Sequence, residues 1–66
     1  MTLNQIHKRI EQIKALDGDD EAAHGAEDRL MFDFISDLAR SENEYIRVRA
    51  KLVLSTQEIE FERWCA

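Results

Sequence analysis

Sixty-six residues allow one domain, residues 1–66, and a chain this short rarely draws more than about 3–5 kcal/mol from its core without a staple. One cysteine and two histidines exclude an intrachain disulfide and a closed tetrahedral zinc site. Fourteen acids against nine lysines and arginines leave a net charge of −5, which argues against nucleic-acid phosphates and anionic membrane surfaces as partners.

The routes to stability that remain are dense helix packing, a bound ligand or self-association, and a homodimer is expected. An acidic chain suits a basic protein surface, or imitates nucleic acid on a protein that binds it. No apolar run approaches the roughly 18 residues of a membrane span, and the N-terminus shows no signal-peptide core. A soluble cytoplasmic protein with a reduced thiol is the expectation.

The first helix is predicted over residues 3–16. Thr2 suits its N-cap, and Leu3, Ile6, Ile10, Ile13 and Leu16 form one narrow apolar stripe. His7 flanks that stripe as an ordinary surface group. Gly18 fits the turn after the helix, where a positive φ is often needed.

The second helix is predicted over residues 19–40, capped by Asp17 or Asp19. Its stripe is Ala23, Leu30, Met31, Phe34, Ile35 and Leu38. Gly25 stands mid-helix, at a cost of about 1 kcal/mol relative to alanine, and a glycine there often admits a close neighbour. Phe32 points about 160° away from Phe34, so one of the two is expected to meet a partner.

The third helix is predicted over residues 42–54, with Ser41 and Glu44 as a capping box. Its apolar residues, from Tyr45 to Leu54, spread over much of the wheel, which predicts the most buried helix. The last segment divides two ways. Ile59-Glu60-Phe61-Glu62 alternates like a strand, whereas Ser55 and Glu58 read as a further capping box. With no second strand to pair with, a short helix over residues 57–64 is preferred, anchored to the body by Phe61 and Trp64. The fold class is therefore all-α, a compact three-helix domain with a short C-terminal helix.

The residues between Gly18 and Asp28 carry the most chemistry: Asp19, Asp20, Glu21, Glu27 and Asp28 with His24. On the helical wheel Asp20, His24 and Glu27 share the face that Met31, Phe34, Ile35 and Leu38 continue. A charge on a core stripe costs several kcal/mol or more unless it is paired, so a partner side chain, a metal or a ligand is expected there.

Two blocks carry a resemblance. Gly18-Asp19-Asp20-Glu21-Ala22-Ala23-His24 with Glu27-Asp28, and Thr56-x-x-Ile59-x-Phe61-x-Arg63-Trp64-Cys65-Ala66, resemble a group of small proteins encoded by bacteriophages and prophages. Those share a G-D-D-E-A-A-H-x-x-E-D segment and an I-D-F-x-R-W-C-A ending. This chain departs at Glu60, where the group has aspartate. The resemblance implies a phage or prophage origin and a functional weight on the two blocks. It implies no reaction.

Glu21 and His24 form a Glu-x-x-His pair, the spacing that di-metal helical bundles use. Asp20, Glu21, His24 and Glu27 are thus candidate metal ligands, although no complete set exists within one chain. The plain alternative is a capped acidic helix start whose histidine bridges two carboxylates, and no cofactor is then expected. All-helical pyrophosphohydrolases hold magnesium on acidic pairs, but only Asp17-x-x-Asp20 approaches their pattern. Glu27 and Arg49 each interrupt an apolar arc and are expected to pair, buried, across the second and third helices. Cys65 has no base near it in sequence and reads as a packing residue.

The function expected is that of a small acidic accessory protein that binds a host or phage protein without catalysis, in the cytoplasm of a bacterial host. Its candidate binding residues are Asp20, His24, Glu27, Asp28, Phe32 and Arg49. The alternative is a metal- or ligand-binding helical module, hydrolytic or not, centred on Asp20, His24 and Glu27.

Overall fold

Each helix begins where a short polar side chain satisfies the free N–H groups of the first turn. In the computed structural model, which describes residues 1–61, α1 spans Leu3–Lys14. Thr2 Oγ1 accepts from the Gln5 N–H at 3.1 Å, and Gln5 Oε1 accepts from the Thr2 N–H at 2.8 Å, a reciprocal box. The chain then turns at Gly18, whose φ of 94° lies in the region that glycine tolerates best.

Helix α2, Asp20–Leu38, is capped by Asp19, which accepts from the Ala22 N–H at 3.1 Å. Helix α3, Glu44–Leu54, is capped by Asn43 and not by Ser41. Ser41 Oγ instead accepts from the Asn43 N–H, and Arg47 donates to the carbonyls of Ser41 and Glu42. These bonds hold residues 41 and 42 outside the helix. Asn43 Oδ1 takes the Ile46 N–H, so the capping role passes two residues along from the expected serine.

The C-terminal helix is one 3-10 turn, Ser55–Glu58, that follows α3 directly. Ser55 and Thr56 do not cap it. Their hydroxyls donate to the carbonyls of Leu52 and Val53 at the end of α3, a back-bonding that competes with capping. Residues 59–61 are not helical, and Phe61 is exposed. The parts of the expected helix, of the Trp64 anchor and of Cys65 that fall on residues 62–66 lie outside the described residues.

The architecture is all-α, with three helices and no strand among the described residues. Helix α2 is central, α1 packs on one side of it and α3 on the other, and α1 and α3 do not meet. The backbone fills 40 × 34 × 10 Å, and its thin dimension is that of a single layer of helices. Its radius of gyration, 13.8 Å, exceeds the about 11 Å typical of a 66-residue domain.

A single layer has two faces and almost no inside. Among the described residues only Ala39 and Ala50 are buried, at 7% and 6% exposure. They lie where α2 ends and α3 packs, and small side chains there let the two backbones approach. The expectation that α3 is the most buried helix is therefore corrected. Leu52 is 70% and Tyr45 66% exposed, because among the described residues α3 packs on α2 and the short 3-10 turn alone, where a fully apolar wheel needs neighbours all round. No helix of the described chain is long and apolar enough to cross a membrane.

Candidate functional site

The first turns of α2 carry the acid–histidine cluster. Asp20 and Glu21 occupy the first turn, where carboxylates complement the helix dipole. One turn on, His24, Glu27 and Asp28 converge, each offering a ligand atom within 4.8 Å of the others. The i, i+3 and i+4 spacing brings them to one side of the helix. Of the candidate ligands Asp20, Glu21, His24 and Glu27, this group contains His24 and Glu27 and adds Asp28.

The premise of a charge on a core stripe is also corrected. Asp20, Glu27 and Asp28 are exposed and His24 is half-buried, so water solvates the carboxylates and no bound group is required to offset desolvation. The same face of α2 is apolar further along, but there too it lacks cover. Gly25, next to His24, has no described residue beyond its own helix backbone within 4 Å of the position a side chain would take, so its expected close neighbour is not found among the described residues.

Glu27 and Arg49 do not pair with each other. Both are exposed. Arg49 donates to the carbonyl of Tyr45 at 3.1 Å, and its guanidinium lies 3.4 Å from the centre of the Tyr45 ring, a cation–π contact on its own helix. Phe32 is likewise half-exposed, with the Arg29 guanidinium 5.7 Å above its ring.

Two apolar grooves flank α2. One, with a volume of about 240 Å³, is lined by Ile6 of α1 and Leu30, Met31 and Phe34 of α2. The other, about 270 Å³, is lined by Ile35 and Leu38 of α2 and by Tyr45, Ile46, Arg49, Ala50 and Val53 of α3. Met31, Phe34, Ile35 and Leu38 lie on one face of α2, so the grooves join into one apolar surface across all three helices. Met31 is 59% and Phe34 40% exposed on it. No carboxylate lines either groove.

A third groove, about 420 Å³, is polar and opens between α1 and α2 around Gln5, Lys8, Arg9, Gln12, Asp33, Asp37 and Arg40. On the helical wheels these residues lie on the other side of the α1–α2 seam from Ile6 and Met31. Arg9 Nη2 meets Asp33 Oδ2 at 3.1 Å, and Arg29 adds Nε at 3.3 Å to the other oxygen. The amino group of Met1 donates to Asp37. That hydrogen bond, then the charge behind it, holds the Asp37 carboxyl below its ordinary range; partial desolvation opposes this and Arg40 adds to it. The sequence reading did not single out Arg9, Asp33 or Asp37. The available signal was Asp33 and Asp37 one turn apart on α2, with Arg9 beside the isoleucine stripe of α1.

The layer thus has an apolar side whose two grooves no acid lines, a polar seam whose two acids are held by cations, and a solvated cluster of His24, Glu27 and Asp28. No protein-family model, curated protein or solved structure matches this chain.

Proposed function

We propose that this chain is a small acidic accessory protein, of phage or prophage type and at work in the cytoplasm of a bacterial host, that acts by binding protein and not by catalysis. The observation that carries this reading is the open apolar side, running from Ile6 through Met31, Phe34 and Leu38 to Val53. Contiguous apolar surface on a small soluble domain marks an interaction site, and aromatic residues and methionine are enriched in such interfaces. Catalysis is disfavoured because the apolar grooves carry no acid, and Asp33 and Asp37 in the polar groove are each engaged by a cation. Protein binding here includes self-association.

The test uses the immobilised chain and its Phe34→Glu variant as baits for bacterial lysate and for the untagged chain. Proteins retained by the first and lost by the second support the reading, and identical retention by both sinks it.

One observation favours a second reading, a divalent-metal site. His24, Glu27 and Asp28 present three ligand atoms in reach of one ion, and imidazole with carboxylates suits zinc or manganese. Their exposure makes this the weaker of the two, since metal ligands are ordinarily oriented by hydrogen bonds from a surrounding shell.

A further inference from the structure

We propose that the partner seated on the apolar side is a second copy of this chain, related by a two-fold axis that crosses α2 between Met31 and Phe34, and that Glu27 of each copy pairs with Arg49 of the partner subunit. This rests on the reading of that side as a protein-docking surface, and names its occupant.

Area is the first argument. A folded monomer of 7.7 kDa exposes about 4,300 Å², whereas this chain exposes 5753 Å². The surplus, about 1,400 Å², exceeds the about 800 Å² that each partner contributes to a standard interface. Covering one side of the layer with the same side of a second copy turns a one-helix-thick sheet into a two-layer domain with an inside.

Charge is the second. Two chains of net charge −5 repel unless acids stay out of the interface, and no carboxylate lines the grooves. At the edge of the apolar surface the charges are self-complementary. Glu27 lies within about 40° of Met31 on the wheel, at the end of the α2 face nearest the N-terminus. Arg49 lines the groove beside Leu38, at the other end. Neither has an ion-pair partner among the described residues, Arg49 resting on the carbonyl and ring of Tyr45.

Residues 27 and 38 are about 16 Å apart along α2, and their midpoint falls between Met31 and Phe34. An axis at that midpoint runs α2 antiparallel to its copy. It sets Met31 against Phe34 of the partner subunit, and by symmetry the reverse, and brings Glu27 level with Leu38 of the partner subunit, where Arg49 of the partner subunit borders the groove. Such an interface is isologous, so each contact occurs twice. An unrelated partner would need its own acid and arginine at this spacing. A second copy has them by symmetry.

Sedimentation equilibrium of the full chain tests this, with far-UV circular dichroism of each variant to verify helicity. The expected result is twice the single-chain mass, and a melting temperature that rises with chain concentration. Glu27→Arg or Arg49→Glu alone is expected to weaken the dimer about tenfold, and the two together to restore it to within about threefold. Phe34→Glu is expected to give a single chain, and Phe32→Glu, off that face, to leave the dimer intact.

A single-chain mass at hundreds of micromolar, with melting independent of concentration, overturns the second copy; the docking reading then stands or falls on the bait comparison. Swaps that weaken the dimer additively with no rescue overturn the Glu27–Arg49 pairing. A dimer that survives Phe34→Glu and is broken by Phe32→Glu overturns both the inference and the docking reading. The concentration dependence of melting is read on the unaltered chain, so it decides the matter even where a variant fails to fold.

Discussion

Arg9 of α1 and Asp33 of α2 form the one side-chain ion pair that joins two helices among the described residues, at 3.1 Å with each side chain about a third exposed. It sits on a seam with little apolar burial around it. Arg29, on the same helix as Asp33, is mostly solvated and adds less. Asp33→Ala is expected to cost about 1 kcal/mol in urea unfolding, the upper end for a partly solvated pair. Arg9→Ala should cost a similar amount, and the double variant clearly less than the sum. Additive losses would show that the two side chains are neighbours without coupling.

Asp37 gives the stability an acid-side pH dependence. Its carboxyl is held below the ordinary value by the amino group of Met1, through the hydrogen bond first and charge second. A carboxyl depressed in the folded state stabilises fully above its unfolded value, about 3.9, and loses that contribution as pH falls through the folded midpoint. The side-chain carbon of Asp37, followed by NMR, should titrate below that unfolded value. Asp37→Asn should flatten the acid limb of stability against pH. An ordinary midpoint would remove this contact from the account.

The two glycines should respond in opposite directions. Gly18 has a φ of 94°, and placing alanine in a left-handed conformation costs about 1–2 kcal/mol. Gly25 is helical with open space where a side chain would go. Gly25→Ala should stabilise by about 0.5–1 kcal/mol through helix propensity. Urea midpoints of the two variants on opposite sides of the parent chain are the expected outcome. A loss at Gly25→Ala would indicate a close neighbour that the single chain does not have, such as a partner subunit.

The His24, Glu27 and Asp28 group should hold zinc or manganese weakly, since its two carboxylates are exposed and no hydrogen bond among the described residues orients them. Calorimetry should show no saturable binding at micromolar metal. Saturable binding that His24→Ala abolishes would promote the metal reading over the protein-docking one.

The sequence showed well those features that depend on neighbours three or four residues away. Thr2 and Asp19 cap as expected, Gly18 takes its positive φ, and the three helices appear in order. Ser41 shows the limit of such signals. It was the expected cap of α3, but Asn43, two positions on, serves instead, while Arg47 reaches back to the carbonyls of Ser41 and Glu42.

What only the tertiary structure decided is how the helical faces are phased against one another. A wheel places Glu27 and Arg49 each on an apolar arc, but it cannot tell whether those arcs face one another. Here α1 and α3 lie on opposite sides of α2 and never meet, so the stripes spread into a sheet one helix thick and do not close around a core. Glu27 and Arg49 therefore both remain exposed, and the pairing that the sequence invited between them does not form. Helix formation is local and is written in periodicity and caps. Helix arrangement rests on the net apolar area that each packing buries, and in a chain of 66 residues one layer of helices leaves large apolar side chains such as Met31 and Leu52 exposed.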